Sequence, residues 1–133
     1  MRSLVFPYKQ LGRYLFPIIP VTLFSRNIIF KTEAYVDSGA SYSIFRSEIM
    51  EALDLRKEQG RLRMLKAADG NPITCRVFRL PIRIADVKIR AVVAFSDELN
   101  VGFNLLGRQA IFSNFEEVAF NERQKTVIFR LRK

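Results

Sequence analysis

The sequence contains no histidine and a single cysteine, Cys75. Without histidine there is neither a Ser-His-Asp triad nor a Cys-His pair, and one cysteine cannot supply the ligands of a structural zinc site. Acid–base chemistry therefore falls to carboxylates, lysines or tyrosines. We expect Cys75 to be a packed strand residue, because no histidine is present to activate its thiol. No metal or cofactor is expected.

Long hydrophobic runs are also absent. The longest one, residues 15–24, contains Pro17 and Pro20 and is too short to cross a bilayer. Basic residues interrupt the N-terminal segment, and no small-residue cleavage site follows a clean apolar stretch. One cysteine cannot form an intramolecular disulfide, which favours a reducing compartment. We therefore expect a cytoplasmic protein with no membrane partner.

Acidic residues are few: lysine and arginine outnumber aspartate and glutamate by 22 to 13, for a net charge of +9. Nucleic acid, an anionic membrane surface or an acidic substrate could use such a charge. However, the arginines are scattered through apparent strands and alternate in places with apolar residues, as on the wet face of a half-buried sheet. We therefore favour a solvated face over a nucleic-acid partner, without excluding the latter. The residues concerned are Arg61, Arg63, Arg76, Arg79, Arg83 and Arg90.

What is present is a pattern of period two. With 133 residues, of which 49% are hydrophobic, the chain makes one domain, residues 1–133, with a real core. The alternation predicts strands, and Asp69-Gly70-Asn71 is a strong turn signal between two of them. Ser47 is a candidate N-cap for a short helix through Leu53, and residues 108–112 are a candidate second helix. The expected fold is mainly β, with strands at 21–24, 28–36, 61–68, 72–84, 88–95, 117–120 and 126–131.

One carboxylate, Asp37, lies at the end of an apolar strand and is followed at once by a tight turn, Ser38-Gly39-Ala40. A turn of these residues alone is a weak signal, since any β protein uses them. In aspartic proteases two carboxylates share one proton, so that one accepts a proton from water while the other donates to the substrate carbonyl. The glycine lets the backbone turn tightly and bring its N–H close to the carboxylate.

The motif continues as Ala40-Ser41-Tyr42-Ser43-Ile44, and Leu105-Leu106-Gly107-Arg108 follows about seventy residues later. These segments resemble the two signatures of the retropepsin family, the single-lobe aspartic proteases of retroviral type. The opening residues 6–21 look like the lead-in of prokaryotic, cytoplasmic members. The resemblance covers residues 18–131, with residues 1–17 as a lead-in that takes part in an interface.

The resemblance implies a closed barrel, a homodimer and an endopeptidase that hydrolyses polypeptides. It makes Asp37 the catalytic residue, with one copy from each subunit, and residues 38–40 its support. It places Leu106 and Gly107 behind the catalytic turn. The hairpin tip, Ala68-Asp69-Gly70-Asn71, becomes the flap that closes over substrate. The apolar terminal segments 5–6, 16–21 and 126–131 are the expected interface strands.

Several features depart from the family pattern. Ser38 replaces the commoner threonine, and the flap is short. Ser41 stands where retroviral enzymes usually hold an acid that pairs with the arginine corresponding to Arg108, so Arg108 needs another partner. The alternative function is a catalytically silent dimer of the same fold, which acts as a binding or scaffold module and contacts nucleic acid through its basic face.

Overall fold

The computed structural model describes residues 2–66, 69–99 and 101–132. Within these ranges more than half of the residues lie in β-strands, and there is one short α-helix. The elements are β1 (Ser3–Pro7), β2 (Lys9–Leu11), β3 (Tyr14–Phe16), β4 (Ile18–Ser25), β5 (Ile28–Val36), β6 (Ile44–Arg46), α1 (Ser47–Ala52), β7 (Arg61–Lys66), β8 (Pro72–Ile84), β9 (Val87–Ser96), β10 (Asn104–Leu106), β11 (Glu117–Asn121) and β12 (Thr126–Arg130).

Strand β5 forms at the predicted residues. Its even-numbered side chains from residue 28 to 36 are buried or half-buried, and Ala34 and Val36 are fully enclosed. A two-residue turn joins β4 to β5, pairing Ser25 with Ile28, and Arg26 adopts a left-handed φ of 52° there. The predicted mainly β fold is confirmed, and β5 is the strand that carries the chain to Asp37.

The main sheet has seven strands in the order β4-β5-β10-β6-β9-β8-β7. A second pairing, between β4 and β8, joins Thr22 to Arg83 and Leu23 to Ile82. This pairing connects the first and sixth strands, so the sheet curls back on itself and encloses the main core. Because only two residue pairs make the closure, the predicted closed barrel is present in an irregular form, with β7 extending beyond it.

Two smaller sheets complete the described part of the chain. Strand β12 pairs with β1 on one edge and with β11 on the other, and its Val127 and Phe129 are fully buried. Strands β2 and β3 form a separate hairpin. Strand β12 is the central strand of its sheet, so β1 and β11 of the same chain already occupy the two edges with which an interface strand would pair.

Two local predictions were wrong. The helix begins at Ser47, with Arg46 as its N-cap and no side-chain capping bond, because the preceding residue already pairs with β9 and fixes the extended entry. Residues 108–112 form turns that lead into a 3-10 turn at Phe112–Asn114. No α-helix in the described ranges has the length and hydrophobicity needed to span a membrane.

Candidate active site

The two signature segments lie side by side. Strand β10 is inserted between β5 and β6, parallel to β5 with Leu106 opposite Val36 and antiparallel to β6 with Leu105 opposite Ile44. The register continues past the strand, since the N–H of Asp37 donates to the carbonyl of Leu106 at 3.0 Å. Strand β10 has only three residues, and it is paired on both edges. Its pairing with β5 therefore fixes the residue at which β5 ends and the turn at Asp37 begins.

The turn itself holds the Asp37 carboxylate. The backbone N–H of Gly39 donates to Asp37 Oδ1 at 2.9 Å, and the N–H of Ala40 donates to the Asp37 carbonyl at 3.2 Å. A Cβ on Gly39 would lie 3.3 Å from Asp37 Oδ1, which is a tight contact. Ser38 is exposed and Asp37 is half-exposed. The side chain of Asp37 is therefore oriented by its own turn and remains open to solvent.

Gly107 packs against the back of this turn. A Cβ on it would lie 2.3 Å from the Tyr42 carbonyl oxygen and 2.8 Å from the Ala40 carbonyl oxygen. Two further bonds join the segments, from the N–H of Arg108 to Ala40 O and from the N–H of Gln109 to Ser41 O, both at 2.9 Å. Only glycine fits between two backbones this close.

Two residues that were not among the predicted site residues hold this arrangement together. Ser43 Oγ, almost fully buried, accepts a hydrogen bond from the N–H of Gly107 at 2.9 Å. The side chain of Asn104 donates to Glu33 O at 2.9 Å and accepts from the N–H of Arg46 at 3.0 Å, so it bridges β5 and β6. Ser43 belongs to the signature segment and so carried a sequence signal. Asn104 carried none.

The predicted flap is the β7–β8 hairpin, whose tip contains residues 69–71. Asn71 donates through its backbone N–H to Asp69 Oδ1 at 2.9 Å and through its side chain to Asp69 Oδ2 at 3.1 Å. Gly70 has a left-handed φ of 85° with open space around it. These features make Asp69 a turn former, as predicted. The fourth flap residue of the prediction, Ala68, lies outside the described residues.

A cleft of about 550 Å³ lies between the Asp37 turn and this hairpin. Asp37 and Ala40 line it from the turn, and Lys66 and Asp69 line it from the hairpin. The remaining walls include apolar side chains. The wall residues are Gly39, Ser41, Tyr42, Ile44, Ile73, Leu99, Val101 and Leu105.

The surroundings of Asp37 include a half-buried aromatic cluster. Tyr35, Phe16 and Phe103 pack with ring centroids 5.3 to 6.3 Å apart. Burial, followed by the negative charge of Asp37, raises the pKa of Tyr35. The phenol of Tyr35 therefore holds its proton more tightly than an exposed tyrosine does.

The departures from the family pattern are visible in the structure. Arg108 and Ser41 are both exposed, and Arg108 forms no ion pair with any carboxylate in the described ranges. Its backbone N–H still takes part in the bond to Ala40.

Cys75 is buried in β8, and burial raises the pKa of its thiol, which agrees with a packed residue. Of the predicted site residues, Asp37, Gly39, Ala40 and Asp69 line one cleft, while Gly107 and Leu106 support it from behind.

The comparisons with known proteins agree with this geometry at the level of the fold. No protein-family model and no curated protein sequence matches the chain. A retropepsin-like aspartic protease from Rickettsia conorii, known from its crystal structure, matches it with a TM-score of 0.68 at 16% sequence identity. The match covers 96% of this chain and 98% of that one. The chain therefore has a retropepsin-like fold.

Proposed function

We propose that the protein is an aspartic endopeptidase that acts as a homodimer. The observation that supports this most is the position of Asp37. Its carboxylate is oriented by the Gly39 N–H, lies at an open cleft under a hairpin and is backed by the Gly107 segment. The sequence contains a single Asp-Ser-Gly segment, so a catalytic pair requires two copies.

The mechanism needs the two Asp37 carboxyl groups to share one proton. Two carboxylates that are this close cannot both ionise cheaply, and the resulting pKa values belong to the pair. The ionised group accepts a proton from water as the water oxygen attacks the peptide carbonyl carbon, and the protonated group donates to the carbonyl oxygen. Collapse of the tetrahedral intermediate breaks the C–N bond, and a carboxyl proton passes to the leaving amine.

The surface next to the catalytic turn offers an interface for this dimer. The β2–β3 hairpin exposes Leu11, Tyr14 and Leu15, at 36%, 64% and 44% of their full surface. It is tied to the site through Phe16, whose ring packs against Tyr35 two residues before Asp37. Burying this apolar patch between two copies would bring the two catalytic turns together. We therefore propose the hairpin, rather than β12, as the main dimer contact.

A silent scaffold of the same fold is the rival function. It would need no accessible catalytic carboxylate, whereas Asp37 is half-exposed and the cleft beside it is open. This favours the enzyme. A reducing, cytoplasmic location remains our proposal, because the one cysteine is buried and unpaired.

The test is cleavage of a diverse peptide mixture between pH 3 and pH 8, read by mass spectrometry. The proposal predicts activity that follows a bell on the acidic side of neutrality, because one carboxyl group must be charged and the other protonated. Asp37→Asn should retain the circular dichroism of the parent and lose cleavage. Equal cleavage by a folded Asp37→Asn protein would place the active site elsewhere.

A further inference from the structure

A second depression adjoins the catalytic cleft and has a different chemistry. It encloses about 360 Å³ and shares one wall residue, Tyr42, with the cleft that contains Asp37. Its charged lining residues are both cationic, Arg61 and Arg63 of β7. A peptide that lies in the cleft can therefore reach this depression by passing Tyr42.

The register of the β7–β8 hairpin explains why both arginines face the same way. Arg61 pairs with Val77 and Arg63 with Cys75, so the two guanidinium groups project from one face of the sheet at i and i+2. The next residue on that face, Leu65, is buried. The depression thus combines an apolar floor with two exposed cations at its rim.

Neither arginine is neutralised within the described part of the chain. The ion pairs found there involve other cations, and both Arg61 and Arg63 are exposed. The two unpaired guanidinium groups therefore give the depression a positive potential.

We propose that this depression binds an acidic side chain of the polypeptide substrate, so that the peptidase prefers aspartate or glutamate near the cleaved bond. The proposal rests on the proposed function and names its substrate class. Guanidinium groups present paired N–H donors that match the two oxygens of a carboxylate. The apolar floor accommodates the methylene groups that carry such a carboxylate.

The test measures binding separately from cleavage. Two pools of short fluorescent peptides, identical except for glutamate or glutamine at one position, are titrated with Asp37→Asn protein by fluorescence anisotropy. We expect tighter binding of the glutamate pool by roughly tenfold at low ionic strength. The double variant Arg61→Gln, Arg63→Gln in the same background should bind both pools equally.

The matched control is Arg79→Gln, Arg90→Gln, which removes two charges from the same face of the sheet outside the depression. It should keep the preference for glutamate. Equal binding of the two pools by the parent, or loss of the preference in the control as well, would overturn the proposal. The proposal would also be overturned if duplex DNA displaced the glutamate peptide at physiological salt and bound the Arg61, Arg63 variant more weakly. That outcome would assign this face to nucleic-acid binding.

Failure of the inference can be told apart from failure of the proposed function. Cleavage that depends on Asp37 but shows no enrichment of acidic residues around the cut sites would contradict only the proposed preference for acidic residues. If the protein prefers the glutamate pool but the parent cleaves no peptide, the depression still binds carboxylates and the proposed peptidase function is wrong.

Discussion

The N–H of Gly107 donates to Ser43 Oγ at 2.9 Å, and this buried bond joins the two segments that the sequence keeps more than sixty residues apart. On one side of it, the backbone of Gly107 is pressed against Tyr42 and Ala40. On the other side, Ser43 O accepts from the N–H of Ala94 at 2.9 Å, which ties the pair to β9. The segment that follows the Asp37 turn is therefore held by a contact that does not involve the Asp37 side chain.

Gly107→Ala tests this contact. Its methyl group would meet the Tyr42 carbonyl oxygen at 2.3 Å, and because the neighbour is backbone, the segment that follows the Asp37 turn must move. We expect the free energy of unfolding to fall by about 1–3 kcal/mol or more, measured by urea denaturation. The control is Gly102→Ala, where nothing lies within 4 Å of the added carbon. Equal stability of the two variants would contradict the close packing.

Gly70→Ala tests the flap. Gly70 has a φ of 85° at an open hairpin tip, so alanine should add backbone strain of about 1 kcal/mol without a steric clash. We expect a small loss of stability and a larger loss of kcat/KM if the hairpin tip acts as the proposed flap over the cleft. Gly70→Asn, which tolerates a left-handed backbone better, should lie between alanine and the parent. An unchanged kcat/KM in Gly70→Ala would show that the hairpin tip takes no part in substrate binding.

The β2–β3 hairpin can be tested as the dimer contact. Tyr14→Glu, Leu15→Glu places two charges on the exposed apolar patch, and we expect the dimer dissociation constant to rise by at least about tenfold. Sedimentation equilibrium measures it. Ile29→Glu, at an equally exposed apolar residue of β5, is the control and should leave the dimer intact. A dimer that survives the hairpin variant but not a change at Val5 would move the interface to β1.

The contact between Tyr8 and Glu122 predicts a loss of stability at high pH. The Tyr8 hydroxyl donates to the Glu122 carboxylate, and burial together with this bond raises the pKa of Tyr8 to about 12. Folding therefore favours the neutral phenol, so its contribution is fully present below the ordinary tyrosine pKa of 10.0. It should be lost as the pH rises from there to about 12.

Tyr8→Phe isolates this effect from the other groups that titrate in the same range. The variant should be less stable than the parent at neutral pH, because the hydroxyl bond is gone. The difference between them should shrink between pH 10 and 12, as urea denaturation at each pH would show. A constant difference across that range would mean that Tyr8 does not ionise with unfolding.

Much of the fold could be predicted from local patterns. Strand β5 was predicted at its observed bounds because its alternation is regular and a turn closes it at one end. The β8–β9 hairpin was found for the same reason, with Ala85 and Asp86 in its turn. In each case the hydrophobic face and the turn residues lie within a few positions of one another, so no distant contact was needed to identify them.

The short strands could not be predicted in this way. Strand β10 has three residues, and it is a strand only because β5 and β6 hold it on both sides. Strand β1 was read as part of a lead-in, whereas it adds to β12 from the opposite end of the chain. Three residues carry too little periodicity to identify a strand, and the partner that completes it is distant in sequence.

The residues of the candidate site also differ in how far they could be predicted from local sequence. Asp37, Gly39 and Gly107 belong to short motifs that are legible in sequence. Leu99 and Val101, which wall the cleft, lie in a loop with no motif, and only the fold brings them opposite Asp37. The pairing of Arg61 and Arg63 on one face could be read from sequence, but the depression that they border could not, because five separate segments form it.

The central claim is that two Asp37 side chains form one active site, and a subunit-mixing experiment tests it most directly. Parent and Asp37→Asn proteins are mixed in equal amounts, held under conditions where subunits exchange, and assayed for peptide cleavage at constant total protein. If both carboxyl groups are required, only parent homodimers are active, and the rate should fall to about a quarter of the parent rate by random pairing. A rate of about one half would show that each chain works alone and would contradict the account.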